Sequence, residues 1–133
     1  MSKIAVDTNI LLYALDDFDP SKQIISMGIL ADRPIFCSQS LSEFTNVCIR
    51  RWKFPKSQVA ELLKTYMSEC LYIPITEHML LRSFDIMKKY NFQLFDSMIV
   101  SAALESECSV LYSEDMQHEL LVDKQLKILN PFI

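Results

Sequence analysis

Residues 3–9 read Lys3-Ile4-Ala5-Val6-Asp7-Thr8-Asn9. The apolar core of this stretch predicts a short buried strand, which Asp7 ends. The run that follows, residues 10–15, is apolar without strict alternation and predicts a buried helix. Residues 3–15 therefore predict a strand that leads directly into a helix through a polar turn.

Short apolar strands alternate with longer helices along the whole sequence. Further strands are predicted at residues 34–37, 71–75, 109–112 and 126–129. Pro74 indicates that the strand at 71–75 either lies at a sheet edge or has the proline near its end. Helices are predicted to start at Pro20, near Ser40, at Pro55, after Thr76 and near Phe95. This alternation is typical of an α/β three-layer sandwich with a short, mostly parallel central sheet. The length of 133 residues fits a single domain, 1–133.

The composition excludes several classes of protein. Half of the residues are hydrophobic, which is incompatible with a disordered chain. No apolar run reaches the roughly 18 residues of a membrane span, and Met1-Ser2-Lys3 lead directly into the first strand. We therefore expect no membrane contact, no secretory signal and a cytoplasmic protein. Gly28 is the only glycine, which excludes a P-loop and a dinucleotide-binding fingerprint.

The cysteines and the net charge indicate which kinds of metal and nucleic-acid binding to expect. The four cysteines have no paired spacing and lie far in sequence from both histidines, so we expect reduced, mostly buried thiols rather than a zinc site. Thirteen basic and seventeen acidic residues give a net charge of −4. That sign is wrong for a protein that binds nucleic acid mainly through a positive surface. The excess of four acids equals the size of one candidate site.

Four carboxylates are predicted to meet at one edge of the sheet. Asp7 follows the first strand, and Glu43 and Asp96 lie near the starts of helices. The fourth comes from the adjacent pair Glu114 and Asp115, which follows the strand at residues 109–112. Ligands of an open parallel sheet gather outside the carboxyl ends of its strands. Neighbouring carboxylates raise one another's pKa unless a cation neutralises them. Oxygen ligands suit Mg²⁺ or Mn²⁺, which can activate water against a phosphodiester.

Each of these acids also has an ordinary explanation. Asp7 can cap the following helix, Glu43 can be a solvated helix residue, and Asp96 can interact with a helix dipole. Asp115 can be a turn residue. The four residues carry a functional argument only if the fold brings them together.

Four motifs in this order resemble the PIN-domain family, and the length and layout are most similar to the VapC-like toxins of bacterial and archaeal toxin–antitoxin pairs. The motifs are Asp7-Thr8-Asn9, Ser42-Glu43-Phe44, Phe95-Asp96-Ser97 and Ser113-Glu114-Asp115-Met116. The resemblance covers essentially the whole chain. It implies a metal-dependent endoribonuclease that dimerises and is held inactive by a small antitoxin protein.

The resemblance also implies a set of site residues. The family's acidic cluster maps onto Asp7, Glu43, Asp96 and Asp115 as catalytic residues and Mg²⁺ or Mn²⁺ ligands. Many relatives have a glycine a few residues later, where this chain has Gln117-His118-Glu119. Either Glu114 or Asp115 therefore remains open as the fourth acid. The supporting residues are Thr8, Asn9, Ser113 and Glu114.

A mechanism follows as a hypothesis from the same cluster. Asp7 and Asp96 bind the metal directly, Glu43 orients the attacking water, and Asp115 completes the site. Thr8 and Asn9 position the Asp7 carboxylate or a phosphate oxygen. Attack by water predicts products with a 5′-phosphate and a 3′-hydroxyl.

Residues 50–56 mix four cations with two aromatic side chains, Trp52 and Phe54, and such a mixture can bind RNA. Because Trp52 continues the apolar stripe of its helix, we favour core or dimer packing for both aromatics. We likewise interpret His118 as an ordinary surface histidine, although it lies close to Asp115 in sequence.

Two other functions remain as alternatives. One is a non-catalytic PIN-like module that binds RNA or protein. The other is a phosphoacceptor domain, which needs a lysine after a late strand. The sequence has no lysine between Lys89 and Lys124, which disfavours that alternative.

Overall fold

The computed structural model describes residues 3–133. Met1 and Ser2, on which part of the expectation about a secretory signal rests, lie outside the described residues. In chain order the elements are β1 (Lys3–Val6), α1 (Thr8–Leu15), α2 (Pro20–Ala31), β2 (Ile35–Cys37), α3 (Ser38–Asn46), a π-helical turn (Val47–Arg51), α4 (Lys56–Glu69), β3 (Leu71–Ile73), α5 (Glu77–Tyr90), α6 (Leu94–Glu105), β4 (Cys108–Tyr112), β5 (Leu121–Val122) and β6 (Leu126–Leu129).

The strands form one sheet in the order β3-β2-β1-β4-β6-β5. Every neighbouring pair is parallel except β5 with β6. The predicted fold class, a sandwich with a short, mostly parallel sheet, is confirmed, and β3 lies at an edge as Pro74 indicated. Strand β5 was not predicted, because two residues are too few to show an alternating pattern.

The side chains of each central strand divide between two apolar cores. Ala5 and Ile35 face a core built on α5 and α6, and their neighbours Val6 and Phe36 face a second core with α1, α3 and α4. Because successive side chains of a strand point to opposite faces, a fully apolar strand needs helices on both sides. The sheet is therefore the middle of three layers.

Helix boundaries follow from local capping. The side chain of Asp19 accepts a hydrogen bond from the Lys22 amide, with Pro20 in the first turn of α2. Thr76 accepts one from the Met79 amide and caps α5, as predicted. Helix α3 begins at Ser38, two residues before the predicted start near Ser40, because β2 ends at Cys37 and passes directly into the helix.

The end of α3 departs from the α-helical pattern. The Trp52 amide donates to the Val47 carbonyl over 3.1 Å, a bond that spans five residues and is typical of a π turn. The apolar spacing of the sequence predicted one continuous helix here. The π turn adds only one residue, which is too small a change for that spacing to reveal.

Two expectations drawn from composition can be compared with the structure. All four cysteines are buried and free of disulfides, as expected. Within residues 3–133, no helix combines the length and the apolar character that a membrane crossing requires.

Tyr66 tests the packing that supports α1. Its hydroxyl donates to the Leu11 carbonyl over 2.7 Å, and its ring packs edge-on against Phe44. We expect Tyr66→Phe to lower the free energy of unfolding by about 1 kcal/mol, because a buried hydrogen bond is lost. Urea unfolding measures the change. Tyr72→Phe is the matched control, since its hydroxyl bonds to no described residue. Equal unfolding midpoints for the two variants would contradict the prediction.

Candidate active site

The pairing of β1 with β4 places Asp7 beside Ser113. Val6 is in register with Tyr112, and the Asp7 amide donates to the Tyr112 carbonyl over 2.9 Å. Ser113 Oγ then donates to Asp7 Oδ2 over 2.7 Å, and the Thr8 amide donates to Asp7 Oδ1, also over 2.7 Å. Both carboxylate oxygens are thus held in place at the carboxyl edge of the sheet.

Asp7 is only 3% exposed, and burial controls its ionisation. Loss of hydration raises the pKa of its carboxyl to about 7. The hydrogen bonds from Ser113 and Thr8 favour the ionised form and lower the pKa, whereas the nearby charges of Asp96 and Glu43 raise it. The carboxyl therefore changes charge near neutral pH.

The other three predicted acids line the same cleft, which has a volume of about 570 Å³. Glu43, on α3, accepts a hydrogen bond from Thr8 Oγ1 over 2.6 Å. Asp96 lies in the first turn of α6. Burial raises the pKa of Asp96, and the charges of Glu43 and Asp115 raise it further. The fold thus brings the four acids around one cleft, as the sequence predicted.

Glu114 and Asp115 have different surroundings. Both Glu114 oxygens are engaged, one by the Tyr13 hydroxyl and the other by Lys22 Nζ. Asp115 Oδ2 accepts a hydrogen bond from Asn9 Nδ2 over 3.1 Å. Asp115 also acts electrostatically on Asp96, and Glu114 has no such effect there. These contacts favour Asp115 as the fourth acid of the cleft.

The donor chemistry of the cleft fits a hard divalent cation. Its acidic groups are all carboxylates, and Oδ1 of Asn9 is buried without a hydrogen-bond partner among the described residues. An orphaned buried oxygen is an acceptor that a cation or its water can satisfy. Within residues 3–133, however, no three His, Cys, Asp or Glu side chains lie close enough together to form a preassembled metal cluster. The acids surround the cleft, but they do not converge on one point.

The structure also adds contacts that sequence reasoning missed. Tyr13 and Lys22 bind Glu114 from 101 and 92 residues away, and no local pattern signals such a contact. Arg51 and Trp52 line the cleft. Trp52 packs against Phe54 at 5.7 Å between ring centroids, so the expected packing is present beside a second, cleft-lining role.

His118 does not line the acidic cleft. Its Nδ1 accepts a hydrogen bond from the Asn130 amide over 2.9 Å, and the residue is not part of the cleft lining. This placement agrees with the interpretation of His118 as a surface histidine.

These features define a three-layer α/β domain whose acidic side chains surround a cleft at the carboxyl edge of a parallel sheet. Residues 4–121 match the family described as the PIN domain. The chain belongs to this family. Comparison with curated protein sequences gives no significant match.

Solved structures with a similar fold include toxins and toxin–antitoxin complexes. The VapC20 toxin of Mycobacterium tuberculosis, described as cleaving the sarcin–ricin loop, aligns with a TM-score of 0.70 at 12% identity over 85% of this chain and 90% of its own. A toxin–antitoxin complex from Klebsiella pneumoniae aligns at 0.71 and 16% identity over 98% of both chains. VapBC2 from Rickettsia felis, bound to a promoter DNA fragment, aligns at 0.65 and 17% identity over 96% and 98%. At these identities the likeness establishes the fold.

The raised pKa of Asp7 makes stability depend on pH. Its folded value, about 7, lies above its ordinary value of 3.8, so the unfolded chain releases this proton first. The contribution of Asp7 to the free energy of unfolding therefore falls as the pH rises from about 4 to about 7. We expect Asp7→Asn to be more stable than the wild type by about 1–3 kcal/mol at pH 7 and equally stable near pH 4.

Chemical unfolding across this pH range, with a chelator present, measures the difference. Asp85→Asn, an exposed substitution on α5, is the control and should change stability by less than about 0.5 kcal/mol at either pH. A wild type that matches or exceeds Asp7→Asn in stability at pH 7 would show that the buried carboxyl is not under electrostatic strain.

Proposed function

We propose that this PIN-domain protein is a Mg²⁺- or Mn²⁺-dependent endoribonuclease and the toxin of a toxin–antitoxin pair. The observation that carries the proposal is the arrangement of Asp7, Glu43, Asp96 and Asp115 around one cleft, with Asp7 buried and its pKa raised to about 7. A buried carboxyl that repels two neighbouring acids is stabilised when a cation shares the site.

Each residue has a role that follows from its contacts. Asp7 and Asp96 would hold the ion with support from Asp115, and the bound ion supplies charge neutralisation and polarises the phosphodiester. Glu43, fixed by Thr8, orients the attacking water and accepts its proton. Ser113 holds the Asp7 carboxylate, and Asn9 holds Asp115. Hydrolysis by water leaves a 5′-phosphate and a 3′-hydroxyl.

An antitoxin partner is supported by the similar structures and by the surface. Two of them are complexes described as toxin–antitoxin or VapBC assemblies. On this chain, Phe18, Ile24 and Met27 are more than half exposed on α2 and the loop before it. Exposed apolar side chains that are close in sequence are typical of surfaces that a protein partner covers. A homodimer and a cytoplasmic location complete the proposal.

RNA end-mapping after brief expression tests the nuclease. We expect new 5′-phosphate ends with the wild type and none with Asp96→Asn, because the variant loses a carboxylate of the cleft. Asp85→Asn should give the wild-type map. Purified protein should lose cleavage in a chelator and regain it with Mn²⁺.

Two results would contradict this proposal in different ways. Products with a 2′,3′-cyclic phosphate would overturn the water mechanism, since they require attack by the 2′-hydroxyl of the RNA. Identical maps for wild type and Asp96→Asn, together with no Mn²⁺ binding, would favour the non-catalytic binding module.

Paired substitutions separate the two adjacent acids. Asp115→Asn should reduce cleavage by about 10- to 100-fold, because an outer carboxylate of the metal site loses its charge. Glu114→Gln should change cleavage by less than about threefold, because its partly exposed pair with Lys22 contributes little. Single-turnover cleavage rates at saturating Mn²⁺ measure both. The reverse order of effects would assign the fourth acid to Glu114.

A further inference from the structure

The cleft continues into a second groove of similar size. This groove has a volume of about 600 Å³, and three of its lining residues, Asp16, Arg51 and Trp52, also line the acidic cleft. Phe18, which is 92% exposed, and Phe54 form part of its wall. A chain bound across the four acids therefore has an open path into an aromatic groove.

The π turn brings Arg51 to this junction. On an uninterrupted α-helix, the residues three, four and seven positions after Glu43 share its face. Arg50 would then lie on the same face as Asn46 and Val47. The π turn holds one more residue than an α turn and shifts the register by one. Arg51 accordingly lines the cleft with Glu43, Asn46 and Val47, while the adjacent Arg50 is exposed outside the lining.

Arg51 is available to bind a ligand. It is the one basic side chain among the described residues that line the cleft, and it forms no ion pair within residues 3–133. The Arg51 guanidinium shares the cleft with several carboxylates but forms an ion pair with none of them. It can therefore bind an anionic group that enters from solvent. Phosphate is the anion that a nuclease substrate carries.

Trp52 supplies a flat surface next to that charge. Its ring is partly buried and packs at a tilt against Phe54, and the residue lines both the cleft and the groove. Nucleobases stack on such aromatic faces without regard to sequence. Asp16 and Asp17 also line the groove and repel phosphate, so Arg51 is the group of the groove that attracts the backbone of a bound strand.

We propose that Arg51 and Trp52 form a nucleotide subsite for single-stranded RNA: Arg51 binds the phosphate next to the scissile one, and Trp52 stacks on the adjoining base. This inference rests on the proposed nuclease function and extends it to substrate binding. The occupant is unpaired RNA, because a base inside a duplex has no free face to offer the indole.

Trp52 is the only tryptophan of the chain and reports directly on the subsite. The experiment titrates the full-length Asp96→Asn variant, which leaves RNA intact, with a short unstructured RNA of mixed sequence. We expect the tryptophan fluorescence to be quenched. Adding Arg51→Ala should weaken binding about 10-fold and lower the slope of log K against log salt by about 1. Adding Arg50→Ala, the matched control, should change affinity by less than about twofold.

An RNA with abasic nucleotides separates the two contacts. It should bind with the same dependence on Arg51 but without quenching, since the stacked base is missing. The circular dichroism spectra of all variants should match that of the parent, because Arg51 is exposed.

Several outcomes would overturn the inference. Equal effects of Arg51→Ala and Arg50→Ala on RNA affinity would contradict the subsite but would not affect the nuclease proposal. RNA binding without quenching would remove the stacking. A loss of antitoxin binding in Arg51→Ala with unchanged RNA affinity would assign the groove to a polypeptide. If the wild type neither binds nor cleaves RNA, the proposed function fails as well.

Discussion

The hydrogen bond from Ser113 to the buried carboxyl of Asp7 is the contact on which the candidate site depends. Removing a carboxylate from water is costly unless donors replace its hydration. Here the parallel pairing of β1 with β4 brings one donor to each Asp7 oxygen. Burial, and to a smaller extent the charges of the neighbouring acids, still raise the pKa of Asp7, so the site keeps a strain that the apolar cores on both faces of the sheet must offset. The buried carboxyl lowers the free energy of unfolding at the position where the proposed function places a cation.

Physical patterns explain which parts of this structure the sequence predicts. Strands and helices with repeated apolar spacing are predictable, because periodicity reports the face that is buried, and the parallel order then places Asp7 and residues 113–115 at one edge. The two-residue β5 and the π turn are not predictable, since neither alters the periodicity enough. The contacts of Glu114 with Tyr13 and Lys22 join residues about a hundred positions apart. Only the folded chain shows that Glu114 and Asp115, which both line the cleft, have different hydrogen-bond partners.

The proposed action on RNA has to be reconciled with the net negative charge of the protein. The overall charge of −4 gives no long-range attraction, and the cleft itself is lined by carboxylates. Positive charge is present locally: Arg51 reaches the cleft through the π turn, and Lys53 and Lys56 follow it in sequence and are exposed. A local patch of this kind favours a strand that is already close over distant attraction. A divalent cation would complete the balance at the acids.

The distance along the chain between the two halves of the site also governs when it forms. Ser113 and Asp7 are separated by 106 positions, and β1, although made first, pairs with β4 in the middle of the sheet. During synthesis from the amino end, β1 can pair with β2 early, but its pairing with β4 waits until most of the chain has left the ribosome. A nascent or prematurely terminated chain that stops before β4 has neither Ser113 nor Asp115. A chain that stops before β4 therefore lacks part of the acidic cleft, and the candidate site forms only when nearly the whole domain has been made.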